Sequence, residues 1–186
     1  MKCEIMGLIR TDRLMLRDLK ENDWQAVHRY ASDPEVVRFM DWGPNSEEET
    51  KAFIQRSIAS QKEQPRRNHT LAIVLKADDK LIGGCGIHVS NSDNREGWLG
   101  YCLNRRFWGQ GYATETAKAL LAFGFGQLDL HRVFATCDPA NTASAHVLEK
   151  TGMKKEGHIR EHRWAKEKWR DSFLYAILDR EWQNAE

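Results

Sequence analysis

Two glycines, Gly109 and Gly111, stand where an apolar strand gives way to a helix, in Asn104-Arg-Arg-Phe-Trp-Gly-Gln-Gly-Tyr-Ala113. Bare backbone at a helix start presents N–H groups without intrahelical partners, and the helix dipole adds positive potential there. Such a loop suits an anion, most naturally a phosphate. Two familiar phosphate loops are excluded by spelling. No Gly-Lys pair occurs in the chain, as a P-loop needs, and Thr114 occupies the place of the third glycine of a dinucleotide fingerprint.

A second group is Asn141-Thr-Ala-Ser144, at the head of a stretch that closes on Gly152. Asn141 suits a helix N-cap and Gly152 a C′ residue, which explains both without a ligand. A third, His158-Ile-Arg-Glu161-His162, spells a zinc-peptidase pattern whose histidines must share a helical face. Gly157 precedes it and basic residues crowd it, so no metal is expected. The four cysteines, Cys3, Cys85, Cys102 and Cys137, are widely spaced with no Cys-x-x-Cys pair, which fits reduced and mostly buried thiols.

Composition bounds the class. At 186 residues, 41% hydrophobic and 30% charged, the chain has the make-up of one globular domain with a full core. A formal charge of +1 argues against a general nucleic-acid binder. No apolar run approaches a membrane span and the N-terminus lacks a signal-peptide core, so a cytoplasmic protein is expected.

Elements must position these residues. Thr11 to Leu19 reads as a first strand, and Trp24 to Ala31 as a helix ending before Asp33-Pro34. Ser46 and Glu49 form a capping box that starts a helix to about Gln64. His69–Leu75 and Leu81–Val89 are strands joined by a hairpin at Ala77-Asp-Asp-Lys80, and residues 98 to 103 form the strand before the glycine loop. The helix after Gly111 places Ala113, Ala117, Leu120, Leu121 and Gly124 on one face. His131–Cys137 alternates as a strand, Lys166 to Asp171 reads as a charged turn, and Ser172–Leu178 as a last strand.

On these elements, Arg106-Phe-Trp-Gly-Gln-Gly-Tyr-Ala113 resembles the Arg/Gln-x-x-Gly-x-Gly/Ala pyrophosphate loop of the GNAT superfamily of acyl-CoA-dependent N-acetyltransferases. Trp108 to Glu115 is similar to the RimJ/RimL branch, which includes acetyltransferases of ribosomal-protein N-termini. Three further segments match that branch in order: Thr11 to Arg17, Asn141 to Met153, and Trp169 to Leu178.

The resemblance implies an α/β (α+β) fold with a central mixed, mostly antiparallel sheet flanked by helices. That sheet is splayed between the strands near 98 to 103 and 131 to 137, and acetyl-CoA lies across the split. It further implies that Leu103, Arg105, Arg106, Trp108, Gly109, Gln110, Gly111, Tyr112 and Ala113 hold the cofactor, largely through backbone N–H groups. By the same resemblance Asn141 orients pantetheine, while Ser144 approaches its sulfur and assists the leaving thiolate.

Transfer from a thioester to an amine needs a neutral amine, so a base helps, and it needs a donor for the charge on the thioester oxygen. Here the chain departs from its relatives. Many carry a glutamate two residues before the Gly-Tyr of the central strand, where this chain has Trp98. Glu96 lies two residues further back on the same face. Another glutamate of the branch falls nineteen residues after the helix serine, which is Arg163 here, with Glu161 close by. Glu96 and Glu161 are therefore the candidate bases, and Trp98 a candidate acceptor contact. The expected partners are acetyl-CoA and a primary amine, either a protein N-terminus or a small molecule. Neither nucleic acid nor membrane is expected, and a homodimer is left open. The alternative is a catalytically idle acyl-CoA-binding or interaction domain of the same fold.

Overall fold

The architecture follows from one eight-stranded sheet with helices on both faces. The structure is a computed structural model that describes residues 8–183. Cys3 lies outside the described residues. The strands are β1 (Leu8–Arg10), β2 (Leu14–Asp18), β3 (Asn68–Leu75), β4 (Leu81–Asn91), β5 (Glu96–Leu103), β6 (Arg132–Cys137), β7 (Lys154–Ala165) and β8 (Lys168–Leu178). Six helices accompany them: α1 (Trp24–Ala31), α2 (Pro34–Val37), α3 (Glu47–Ser60), α4 (Tyr112–Gly126), α5 (Thr142–Lys150) and α6 (Asp179–Gln183). The sheet runs β1-β2-β3-β4-β5-β6-β8-β7, antiparallel except between β5 and β6.

That exception shapes the site. The β5–β6 ladder holds Glu96↔Arg132, Gly97↔Val133 and Trp98↔Phe134, and then stops. Both strands run on, to Leu103 and Cys137, so the sheet opens into a V after the third pair. The β6-facing edge of residues 99 to 103 is thereby released from strand pairing.

Side-chain alternation sends two cores to opposite faces. Leu71, Ile73, Cys85, Ile87, Leu99 and Leu103 are buried with Leu120, Leu121 and Phe123 of α4. Ala72 and Val74 pack on the other face with Val27, Tyr30 and Ala31 of α1 and Ile54 of α3.

Local signals act largely as read. Ser46 accepts from the Glu49 N–H at 3.2 Å and Glu49 reciprocates on the Ser46 N–H at 2.7 Å, a complete capping box. The helix it starts ends at Ser60, sooner than the expected Gln64. The opening segment is a hairpin of two strands instead of one. Asp33-Pro34, read as a stop, also starts α2: Asp33 Oδ1 accepts from the Glu35 N–H at 3.1 Å and Pro34 takes the first helical position. The turn expected over 166 to 171 shrinks to Lys166-Glu167, both with positive φ (52° and 61°), and the final strand begins at Lys168.

Candidate active site

The glycine loop is built as a platform. Gly109 (φ 73°) and Gly111 (φ 81°) are both left-handed, the region that glycine enters without strain. Asn104 Oδ1 accepts from the Arg106 N–H at 3.1 Å and starts a single 3-10 turn, Arg105–Phe107. Trp108 Nε1–H donates back to the Leu103 carbonyl at 2.8 Å, and the Gln110 amide donates to the Arg106 carbonyl at 3.1 Å. Arg105 is engaged elsewhere, paired with Asp33 at 3.0 Å. The Arg106 guanidinium has no partner among the described residues and stands exposed.

The loop is anchored from the first hairpin. Arg13 donates to the Gln110 carbonyl at 3.0 Å, pairs with Glu115 at 2.7 Å and lies over the Tyr112 ring at 4.4 Å. Thr11 Oγ1–H donates to the same carboxylate at 2.6 Å. Burial pushes the Glu115 carboxyl up, but the bonds from Thr11 and Arg13 outweigh it and hold the group below the usual glutamate range. These contacts explain the Thr11-x-Arg13 and Glu115 signals in the sequence: they fix the start of α4.

Asn141 and Ser144 meet the split from α5. Asn141 Oδ1 caps the helix, accepting from the Ser144 N–H at 3.1 Å. Ser144 Oγ lies 3.1 Å from the Tyr101 hydroxyl, which reaches over from β5. Tyr101 was not singled out in the sequence. Its signal is alternation alone, since it faces the α4 side while Trp98, Gly100 and Cys102 face the α1–α3 side. Burial pushes the Tyr101 phenol far up, so it stays protonated.

The V opens into one continuous cleft of about 1490 Å³, walled by β6 and α5 on one side and by α1, α3, the residue 39–45 loop and the β7–β8 hairpin on the other. Trp98, expected as an acceptor contact, is 41% exposed in this wall, stacked on His88 with centroids 4.1 Å apart. Phe39, Trp42, Phe53 and Phe134 add aromatic surface.

The two glutamates part company here. Glu96 lines the cleft but pairs with Arg132 at 2.8 Å, which also pairs with Glu156. Glu161 sits where the β7 register shifts, with φ 50°, exposed and away from the cleft lining, its N–H donating to Asp171 at 2.9 Å. Its neighbours His162 and Arg163 line the cleft instead. His158 bonds Asp171 at 2.6 Å and His162 bonds Ser172 at 3.0 Å from a strand, so the apparent zinc pattern is dispersed. Among the described residues no group of three or more His, Cys, Asp or Glu is arranged to hold a metal.

Residues 13–154 match the model of the acetyltransferase (GNAT) domain. This chain belongs to the GNAT family of acetyltransferases. It is 34% identical over 174 residues to the uncharacterized N-acetyltransferase YnaD of Bacillus subtilis (strain 168), covering 94% of this chain and 98% of that one. The crystal structure of a GNAT-family acetyltransferase from Bacillus anthracis superposes with a TM-score of 0.83 at 33% identity, over 93% of this chain and 99% of that chain. RimL, a ribosomal L7/L12 alpha-N-protein acetyltransferase solved with coenzyme A, gives a TM-score of 0.82 at 22% identity, over 92% and 98%. That last likeness is one of fold.

Proposed function

We propose that this GNAT acetyltransferase, as a single cytoplasmic domain, binds acetyl-CoA across the β5–β6 split and passes the acetyl group directly to a primary amine. The observation that carries this reading is the V that opens after Trp98↔Phe134, directly ahead of the glycine platform. The pyrophosphate meets N–H groups of residues 106 to 113, with the unpaired Arg106 supplying charge. Pantetheine enters the V, where the unpaired edge of β5 offers hydrogen bonds, and the free amide hydrogens of Asn141 face it. The amine nitrogen attacks the thioester carbon, the C–S bond breaks, and the thiolate is received beside Ser144 and Tyr101.

The cleft supports an acceptor of RimJ/RimL type, a peptide α-amine, over a polyamine. Its acids are largely neutralised: Asp41 pairs with Arg163, Glu96 with Arg132, and Asp138 with Arg170 at 3.8 Å. A polycation gains little from acids already paired.

Acetyl-CoA is titrated by calorimetry into the wild type and Arg106→Glu. The charge reversal is expected to weaken binding about tenfold or more, roughly 1.4 kcal/mol, in a folded protein. An unchanged affinity would remove the loop from the site. Peptides with free N-termini and spermidine are then compared as acceptors at equal concentration. Faster turnover of spermidine would overturn the acceptor reading, and cofactor binding with no turnover on any amine would restore the idle-domain alternative.

A further inference from the structure

By the resemblance, the two positions where the branch carries a glutamate are Trp98 and Arg163 in this chain, and a histidine, His88, lines the cleft nearby. Glu96 is tied to Arg132 and Glu161 lies outside the cleft, so neither fills the vacancy. Along one face of the sheet, Asn68 of β3, His88 of β4 and Trp98 of β5 are directly opposite one another, and Trp98 is the last β5 residue paired to β6. Two residues on, the same face holds Thr70, Gly86 and Gly100, again in register. Gly100 lies in the stretch of β5 released by the split.

His88 is held in a defined state. Its Nδ1–H donates to Asn68 Oδ1 at 3.1 Å, which leaves the lone pair on Nε2. One ring face is covered by Trp98. The ring folds back over Gly86, so that a Cβ there would meet Nε2 at 2.6 Å. Nε2 therefore sits above a glycine whose direct cross-strand partner is Gly100, and opposite residues of an antiparallel pair stand only about 4.5–5.5 Å apart. Among the described residues Nε2 has no hydrogen-bond partner, and His88 lines the cleft. Glycines at 84, 86 and 100 leave this floor bare, with the Tyr30 hydroxyl over Gly84 marking its far end.

We propose that His88 is the proton acceptor for the incoming amine, receiving its proton on Nε2 where the β5–β6 seam opens. This rests on the proposed acetyl transfer. As the amine nitrogen bonds to the thioester carbon it becomes an ammonium, and the forming amide acidifies its N–H. That proton passes to Nε2 while the C–S electron pair leaves with sulfur, and Asn68 keeps the resulting imidazolium oriented through Nδ1–H. The groups on the ring's side of the sheet are Asn68 from β3, Trp98 with the Glu96–Arg132 pair from β5 and β6, and Tyr30 from α1, while His69 lies through the sheet on the α4 side against Phe123. Burial and the neighbouring His69 push the imidazole down to about 4. It is thus neutral and ready to accept at neutral pH, and suits a proton acidified by bond formation better than one on a free alkylammonium.

The test compares His88→Ala and His88→Gln with the wild type in steady-state acetyl transfer to a peptide amine. Calorimetric titration with acetyl-CoA runs in parallel. The expected result is a fall in kcat of about a hundredfold in both variants, within the usual range for removing a general base. Acetyl-CoA affinity should stay within about twofold. In His88→Ala, added imidazole should restore turnover, which a purely structural role would not allow. Unimpaired turnover in either variant would overturn the assignment. So would turnover that survives His88→Ala but is lost in His162→Ala, or a loss that imidazole fails to rescue in a folded His88→Ala protein. Failure of the wild type to bind acetyl-CoA would instead refute the transfer reading beneath it.

Discussion

Arg13 comes from the first hairpin, yet its guanidinium holds the Gln110 carbonyl, the Glu115 carboxylate and the Tyr112 ring at once. Its side chain is about half exposed, so Arg13→Ala should cost less than about 1 kcal/mol of stability. The larger effect should fall on the loop: acetyl-CoA affinity is expected to drop about tenfold with the melting point nearly unchanged, read by calorimetry and thermal unfolding. Asp23 behaves in the opposite way. It pairs with the largely buried Arg17 at 2.7 Å, so Asp23→Ala strands a guanidinium and should cost about 2–3 kcal/mol in urea unfolding. Burial raises the Asp23 carboxyl, but bonds from Arg17 and the Lys20 N–H hold it below the usual range. Its stabilisation is therefore complete above about pH 4 and lost as pH falls through the depressed value. The variant should show a flatter acid limb. At this scale the glycine platform and the Asn141 cap are legible in the sequence, because each is local. His88 is not, since its role depends on standing opposite Asn68 and Trp98 in strands joined by loops of their own.

Among the elements, the β7–β8 hairpin shows where local spelling gives out. A two-residue turn with both φ positive normally announces itself as Asn-Gly, and here it is Lys166-Glu167. Nothing in that pair signals a tight turn, so the charged run through Asp171 reads as loop. The hairpin is held in place by its fit to the rest of the fold: Lys166 Nζ donates to the Val37 carbonyl at 2.7 Å, Arg170 to the Arg38 carbonyl at 3.0 Å, and Arg163 pairs with Asp41. Glu167 carries left-handed strain and its side chain makes no hydrogen bond or ion pair among the described residues, so Glu167→Gly should stabilise by about 0.5–1 kcal/mol. That corresponds to a rise of roughly 1–4 °C in melting temperature. A lower melting temperature would show that Glu167 contributes more than it strains. The capping box of α3 was readable for the converse reason, since Ser46 and Glu49 satisfy each other within one turn.

For the molecule as a whole, strand order and the two cores follow the pattern of sequential antiparallel strands and one strand-helix-strand unit that the sequence displays. What the sequence leaves hidden is how short the parallel seam is, because an end to pairing has no residue type of its own. Two halves of the sheet, β1 to β5 and β6 to β8, meet at only three residue pairs. A cosubstrate lodged in that seam should stabilise the native state by mass action. At a hundred times its dissociation constant acetyl-CoA is expected to contribute about 2.7 kcal/mol. For a chain of this size that is a rise of about 5–11 °C, measured by scanning fluorimetry. Amide exchange should slow most on either side of the seam, and uniform protection would argue that the ligand binds elsewhere.

The bare floor beside that seam also bears on how such a protein diversifies. A methyl group added at Gly100 would meet only the Trp98 ring, at 3.6 Å, whereas one at Gly86 would strike the His88 ring and one at Gly84 the Tyr30 hydroxyl. A single base change turns a glycine codon into an alanine codon. Descent can therefore narrow the cleft at position 100 in one mutational step that leaves the protein foldable, while the neighbouring positions are closed to it. In a lineage that seats its acceptor as proposed, preference can shift with that one methyl, under an unchanged scaffold.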